Sequence, residues 1–191
     1  MSDMINVQMP APPVPVAVSL KPATTALFVT DVIEHIHARE PARIDAMLPK
    51  IADLIARARK AGMQIVYATR EENMATWMPA VAPAAGDPRI ASKAQDRFFS
   101  SDLDAVLKAT GITTIVLTGW KVSGSLLYTS VGATLRGYTV VIPVDTTSGP
   151  SDYEIQIGIY AILNQSSANP TNEPLKPKAS TLSRSDLIMF G

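Results

Sequence analysis

Two hydrophobic periodicities alternate along this chain. A short continuous apolar run, "TTALFVTD" over 24–31, ends in Asp31. Next, Ile44, Met47, Leu48, Ile51, Leu54, Ile55 and Ala58 recur at helical spacing, with Arg57, Arg59 and Lys60 in the last turn and Gly62 as the stop. A second apolar run, "MQIVYAT" over 63–69, follows. The stretch 70–93 is irregular and rich in Pro and Ala, the composition of a lid or an interface loop. The pattern then predicts a helix over 100–111, capped by Ser101 with Asp104 three residues on, and a strand over 112–119, "ITTIVLTG". It continues with a helix over 123–137, a strand over 138–145 ending in Asp145, and a helix over 150–165. That last helix carries Tyr153, Ile157, Tyr160 and Leu163 as its apolar positions. The tail "STLSRSDLIMF" reads as a final strand at a sheet edge.

Strands that are apolar throughout need cover on both faces, and helices between them supply it. The expected fold is therefore a single doubly wound α/β domain with a mostly parallel sheet flanked by helices. The prolines of "MSDMINVQMPAPPVPVAVSL" mark residues 1–23 as an extended N-terminal arm, so the domain spans 24–191.

Composition narrows the function classes. Seventeen basic residues balance seventeen acidic ones, with no basic run, so nucleic acid is not an expected partner. No apolar run approaches membrane-spanning length and the start lacks the basic region of a signal peptide, so no membrane is expected and the default location is the cytoplasm. The chain has no cysteine, which removes disulfides and thiolate metal sites.

In an open parallel sheet, ligands bind beyond the carboxyl ends of the strands. That collects Asp31, Thr69, Arg70, the turn from Gly119 to Ser125, and Asp145, with Lys93 able to fold over the same edge. Read from the residues alone, Asp31 is either a desolvated carboxylate with a raised pKa or the cap of the next turn. Lys93 is either its cation or a solvated surface lysine, and Ser125 either a nucleophile or a helix-start serine competing with Ser123. His35 and His37 follow Asp31, but two histidines without a third at ligand spacing make a weak metal signal. Neither a metal nor another cofactor is expected. Trp77, in "NMATWMP", reads as part of a lid or a subunit contact.

Taken in order, these segments resemble the isochorismatase-like hydrolases, also called cysteine hydrolases, over about residues 24–165. "TALFVTDVIEHI" resembles the first strand of that family with its catalytic aspartate, matching Asp31. "SKAQDRFFSSDLDAVLKATGITTIVLTG" resembles the segment that opens with the catalytic lysine, matching Lys93. "TGWKVSGSLLYTSVGATLRGYTVVIPVD" is similar to the nucleophile turn and the helix and strand after it. The resemblance implies a three-layer sandwich, a small-molecule substrate and a homo-oligomer (dimer, tetramer or octamer). It also implies a cis peptide between Trp120 and Lys121, and an oxyanion hole from the N–H groups of Lys121 and Ser125.

The family's cysteine is replaced here by Ser125, four residues before Thr129. The "DRFF" after Lys93 and the glycine before Ser125 resemble a branch in which a small residue naturally replaces it. A serine hydroxyl lies many pKa units above a carboxylate, and each unit costs about 1.4 kcal/mol, so a serine nucleophile activated by Asp31 is expected to be slow. Three readings follow. One is a C–N hydrolase using Ser125 as nucleophile or as donor to a water. Another is a non-covalent acid–base hydrolase of a vinyl ether, and the third a pocket that binds without turnover. Trp120 and Lys121 are expected to narrow the mouth and make it positive, with Phe98, Phe99 and Tyr128 as aromatic walls. A small, planar substrate fits that pocket.

Overall fold

The computed structural model describes residues 8, 10–70, 76–167, 176–177 and 180–191. In chain order its elements begin with β1 (Val18–Leu20), β2 (Thr25–Thr30), α1 (Glu34–His37), α2 (Pro41–Lys60), β3 (Gln64–Arg70) and β4 (Arg89–Ser92). Then come α3 (Leu103–Ala109), β5 (Thr114–Trp120), α4 (Leu127–Leu135), β6 (Thr139–Pro143), β7 (Thr147–Ser148) and α5 (Asp152–Asn164). The chain finishes with β8 (Ser166–Ser167), β9 (Lys176–Pro177), β10 (Ser180–Ser183) and β11 (Ile188–Phe190).

The central sheet runs β10-β6-β5-β2-β3-β4, with β7 beside the end of β5. Every pairing in it is parallel. β2 lies in the middle and all six of its residues are buried, which is why its sequence shows no alternation. One core cluster joins one face of the sheet to α3, α4 and α5, through Leu103, Leu107, Ala133, Ile159 and Ile162. The other joins the opposite face to α2, through Ile44, Met47, Ile51, Leu54 and Ile55. The doubly wound α/β sandwich read from the sequence is the fold observed.

The differences lie at the edges. The irregular stretch after β3 contains a fourth strand, β4, too short and too polar at Arg89 to stand out as a pattern; residues 71–75 of this stretch lie outside the described residues. Trp77 is held by its own domain: it bridges Ile33 and meets the Tyr67 ring edge-on at 5.0 Å. Of the N-terminal arm, residues 1–7 and 9 lie outside the described residues. Its later part lies along the domain, with Val16 bonded to Leu182 and Ser183 and β1 paired with β11. β10 is the edge strand read from the tail.

The last helix is rotated from the sequence reading. Ser151 caps α5, accepting from Glu154 N at 3.2 Å, and Leu163 packs on the core as read, but the side chains turned fully inward are Ile159 and Ile162, while Tyr153, Ile157 and Tyr160 face out. The cause is Gly158. A Cβ there would sit 2.8 Å from Ser123 N and Val122 C, so α5 lies backbone-close against the turn after β5. That contact fixes its rotation.

Candidate active site

The carboxyl ends of β2 and β5 meet at the centre of the sheet, where Thr30 pairs with Gly119. The approach is so close that a Cβ on Gly119, whose φ is +112°, would lie 1.9 Å from Thr30 O. Only glycine fits. Immediately after β2 the chain turns through Asp31 at φ +53°, a left-handed conformation that aspartate tolerates better than most residues. The turn aims the carboxylate into the protein, where it is 4% exposed.

After β5 the peptide between Trp120 and Lys121 is cis, as the resemblance implied. The chain then makes a wide π-type turn, with Leu126 N donating to Lys121 O at 3.2 Å, before α4 begins. Ser125 lies in this turn, 7% exposed, and so faces the Asp31 carboxylate.

The cation between them is Arg97. Its Nη2 donates to Asp31 Oδ2 and also to Ser125 Oγ at 2.8 Å, while Nη1 donates to Ala94 O at 2.9 Å. The side chain is wholly buried. Its backbone is fixed as well: Arg97 N donates to Thr129 Oγ1 at 3.1 Å, and Arg97 O accepts from Ser101 Oγ at 2.6 Å. Lys93, the lysine expected in this place, is exposed on the surface. The reason is local. β4 ends at Ser92, whose hydroxyl donates to Ala94 O at 2.7 Å and Asp96 O at 3.2 Å. This tight turn throws Lys93 outward and brings Arg97 back in. A planar guanidinium reaches two acceptors at once, which a single ammonium does less rigidly.

Burial pushes the Asp31 pKa above its ordinary 3.8, while Arg97 and hydrogen bonding from Ser125 and Thr69 act in the other direction without cancelling it. Oδ1 of Asp31 and the Thr69 hydroxyl are both buried, and neither makes a hydrogen bond of full geometry. Protonating Asp31 would leave a buried guanidinium without its counter-charge, so the pair is ionised at neutral pH.

Other expected residues are placed differently. The Lys121 ammonium lies 2.9 Å from Glu154 Oε2 on α5, and Ser123 Oγ donates to the same oxygen at 2.6 Å. These two bonds, Ser123 first, lower the Glu154 pKa and neutralise the positive mouth read from the sequence. Trp120 is 8% exposed, in the core on the α2 side of the sheet. Phe98 is core too, stacked on Tyr138 at 5.8 Å beneath the Arg136 guanidinium. Phe99 and Tyr128 are exposed and line, with Ala94, Gln95 and Asp96, an open depression of about 250 Å³ whose lining includes none of Asp31, Arg97 and Ser125. Asp145 takes no part: its carboxylate accepts from Ser185 N and Oγ at 2.8 and 2.7 Å and ties down the C-terminal turn. His37 Nε2 lies 2.9 Å from Asp45 Oδ1, and His35 is exposed. Arg97 was missed because it sits in "DRFF" beside Asp96 and reads as a surface charge; the two phenylalanines after it were the one hint of burial.

Comparison with known proteins fits this arrangement. Residues 25–171 match the isochorismatase domain. A stretch of 69 residues is 32% identical to maleamate amidohydrolase from Pseudomonas putida, covering 36% of this chain and 32% of that enzyme. The chain therefore matches about a third of the length of that curated relative. A cysteine hydrolase from Pseudomonas syringae pv. phaseolicola superposes with a TM-score of 0.70 at 18% identity, over 94% of this chain and 95% of that one. N-carbamoylsarcosine amidase from Thermoplasma acidophilum does so with 0.68 at 21% identity, over 85% and 97%. A domain match over most of the chain, on this sheet and with this turn, is sufficient: the protein belongs to the isochorismatase family of hydrolases.

Proposed function

We propose that this protein hydrolyses the C–N bond of a small, planar amide, with Asp31 as base, Ser125 as nucleophile and Arg97 as the cation that holds them together. The observation that carries the reading is the single guanidinium nitrogen donating to both Asp31 and Ser125 Oγ inside a buried site. With Oγ accepting from Arg97, the Ser125 proton is free to point at Asp31. Asp31 removes it as Oγ attacks the carbonyl carbon, and the backbone N–H groups of Lys121 and Ser125 receive the developing oxyanion. When the C–N bond breaks, Asp31 returns that proton to the leaving nitrogen. A water, deprotonated by the same carboxylate, then cleaves the acyl-serine ester. Arg97 keeps its proton throughout, since a guanidinium does not titrate in this range. The raised pKa of Asp31 narrows the gap to the hydroxyl without closing it, so turnover is slow. Maleamate amidohydrolase and N-carbamoylsarcosine amidase, both similar to this chain, are named for amide substrates, which supports the choice of bond.

One observation favours a second reading, a pocket that binds without turnover: Arg97 already engages both reacting groups, and all three side chains are buried. A hydrolysis screen of small amides, ureides and isochorismate-like ethers separates the readings. Amide turnover by the wild type, lost in Ser125→Ala and in Asp31→Asn, is the expected result. Turnover that survives Ser125→Ala but not Asp31→Asn would replace the covalent step with acid–base chemistry; saturable binding with no turnover would establish the second reading. No helix among the described residues is long and apolar enough to cross a membrane. We place the protein in the cytoplasm, working as a homo-oligomer on a small molecule.

A further inference from the structure

Three side-chain oxygens at the carboxyl ends of β2 and β3 are buried without a hydrogen bond of full geometry: Thr30 Oγ1, Asp31 Oδ1 and Thr69 Oγ1. Buried polar atoms are almost always bonded, so each such atom calls for a reason. Two of these belong to neighbouring positions. Thr30 pairs with Ala68 in the parallel ladder, and Asp31 N still donates to Ala68 O at 3.1 Å, so the next position along brings Asp31 beside Thr69. Hydrogen bonding from Thr69 accordingly acts on the Asp31 carboxylate. Thr30 is turned the other way. By strand alternation it stands with Ala26 and Phe28 on the sheet face toward α3, α4 and α5, whereas Thr69 stands with Ile65 and Tyr67 on the face toward α2. Thr69 is buried, so bulk water does not serve its hydroxyl.

We propose that Thr69 is a positioning residue for Asp31: its hydroxyl keeps Oδ1 as the oxygen that takes and returns the Ser125 proton, while Oδ2 stays on Arg97. This role rests on Asp31 being the base of an amide hydrolysis. The two oxygens of the carboxylate are not equivalent. Arg97 Nη2 donates to Oδ2, and a guanidinium has donors only, so it draws on the lone pairs of that oxygen and cannot accept from it once protonated. Oδ1 has no such donor and is the more basic of the two. An oxygen that carries a proton back and forth needs a partner for both of its states. A hydroxyl is one: it donates to the carboxylate and, by turning its O–H, accepts from the carboxylic acid. An ammonium or guanidinium in its place would serve only the first state. In acylation the Ser125 O–H bond breaks as an O–H bond forms at Oδ1. When the leaving nitrogen departs, the Oδ1–H bond breaks and an N–H bond forms. Thr69 changes from donor to acceptor and back, and keeps its own proton.

Thr69→Val keeps the shape and removes the hydroxyl, and Thr69→Ser keeps the hydroxyl. The first readout needs no activity: the carboxyl carbon resonance of Asp31 in NMR, assigned by its loss in Asp31→Asn and followed with pH in the folded protein. The charge acting on Asp31 is that of Arg97, present in each of these threonine variants, so the comparison isolates the hydroxyl. A bond to the ionised carboxylate is stronger than one to the neutral acid, so Asp31 should titrate at higher pH in Thr69→Val than in wild type. Thr69→Ser should stay close to wild type, and Thr30→Val, which loses the hydroxyl on the opposite face, should leave the titration unchanged. The second readout is amide hydrolysis. In Thr69→Val kcat should fall about 10-fold with KM little changed, the scale of one hydrogen bond to a charged group, and Thr69→Ser should restore most of it. The acid limb of the Thr69→Val profile should move to higher pH with the titration. Circular dichroism verifies folding, and Thr69→Ala is the second variant if valine disturbs it. Turnover by the wild type with an Asp31 titration unchanged in folded Thr69→Val, or shifted equally by Thr30→Val, would overturn the role of Thr69 alone. A shifted titration in a protein whose wild type hydrolyses no amide would overturn it together with the amidase reading.

Discussion

Replacing Arg97 with methionine tests the electrostatic centre of the site. The substitution keeps an unbranched apolar stem and removes the guanidinium. It takes away the ion pair to Asp31 and the hydrogen bonds to Ser125 Oγ at 2.8 Å and Ala94 O at 2.9 Å. Because Arg97 is 0% and Asp31 6% exposed in their side chains, solvent cannot replace the lost partner. Removing one member of a buried pair costs about 3–5 kcal/mol, a large part of the roughly 5–15 kcal/mol that holds a domain folded. Most of that cost is the charge left behind on Asp31, so Arg97→Met with Asp31→Asn should be less destabilised than the sum of the single changes by about 2–3 kcal/mol. Asparagine is the suitable replacement because it accepts the φ of +53° at this position. The assay is urea denaturation of the four proteins across pH.

The direction with pH follows from proton binding. Asp31 already titrates above its ordinary value in the fold, and without Arg97 it titrates higher still, so the folded variant holds a proton that the unfolded chain releases. Stability of Arg97→Met is therefore greatest below the unfolded Asp value and falls as pH rises through the window up to the raised one. Its deficit against wild type shrinks on acidification. A loss under about 1 kcal/mol that is flat with pH, or strict additivity in the double variant, would refute the buried pair.

Further outcomes follow from the same geometry. Gly119→Ala forces a Cβ to within 1.9 Å of Thr30 O and should destabilise the domain by about 3 kcal/mol or more in chemical denaturation, because β2 and β5 must separate where the site is built. Glu154→Ala removes the acceptor shared by Lys121 and Ser123, so the turn holding Ser125 loosens; kcat should drop with KM little changed, and Glu154→Gln should restore part of it. Ser125→Cys supplies a nucleophile whose pKa of about 8.5 lies far closer to that of Asp31, and amide turnover should rise above wild type in steady-state kinetics.

The parts of this molecule legible in its sequence are those where one physical demand dominates. β2, β3 and β5 show themselves as apolar runs because helices cover both their faces, and the strand-end rule then places Asp31 and the turn after Gly119 at the site. Arg97 was not legible in that way. Burying a guanidinium is costly, so a cation beside Asp96 reads as solvated, and only the turn made by Ser92 shows that Lys93 is turned outward. The rotation of α5 was hidden for a related reason. Three of its four apolar positions read from the spacing, Tyr153, Ile157 and Tyr160, face outward and only Leu163 packs on the core, because Gly158 must lie against the backbone of Val122 and Ser123. Asp145 sits at a strand end like Asp31, and only its bonds to Ser185 distinguish a structural carboxylate from a chemical one.

The most direct measurement is kcat/KM of Arg97→Met beside Lys93→Ala, on whichever small amide the wild type hydrolyses. Arg97→Met is expected to lose at least about 100-fold, the scale of removing one group that stabilises charge in a buried site, while Lys93→Ala stays close to wild type. Loss of activity in Lys93→Ala with Arg97→Met still active would contradict it and return the catalytic cation to the lysine.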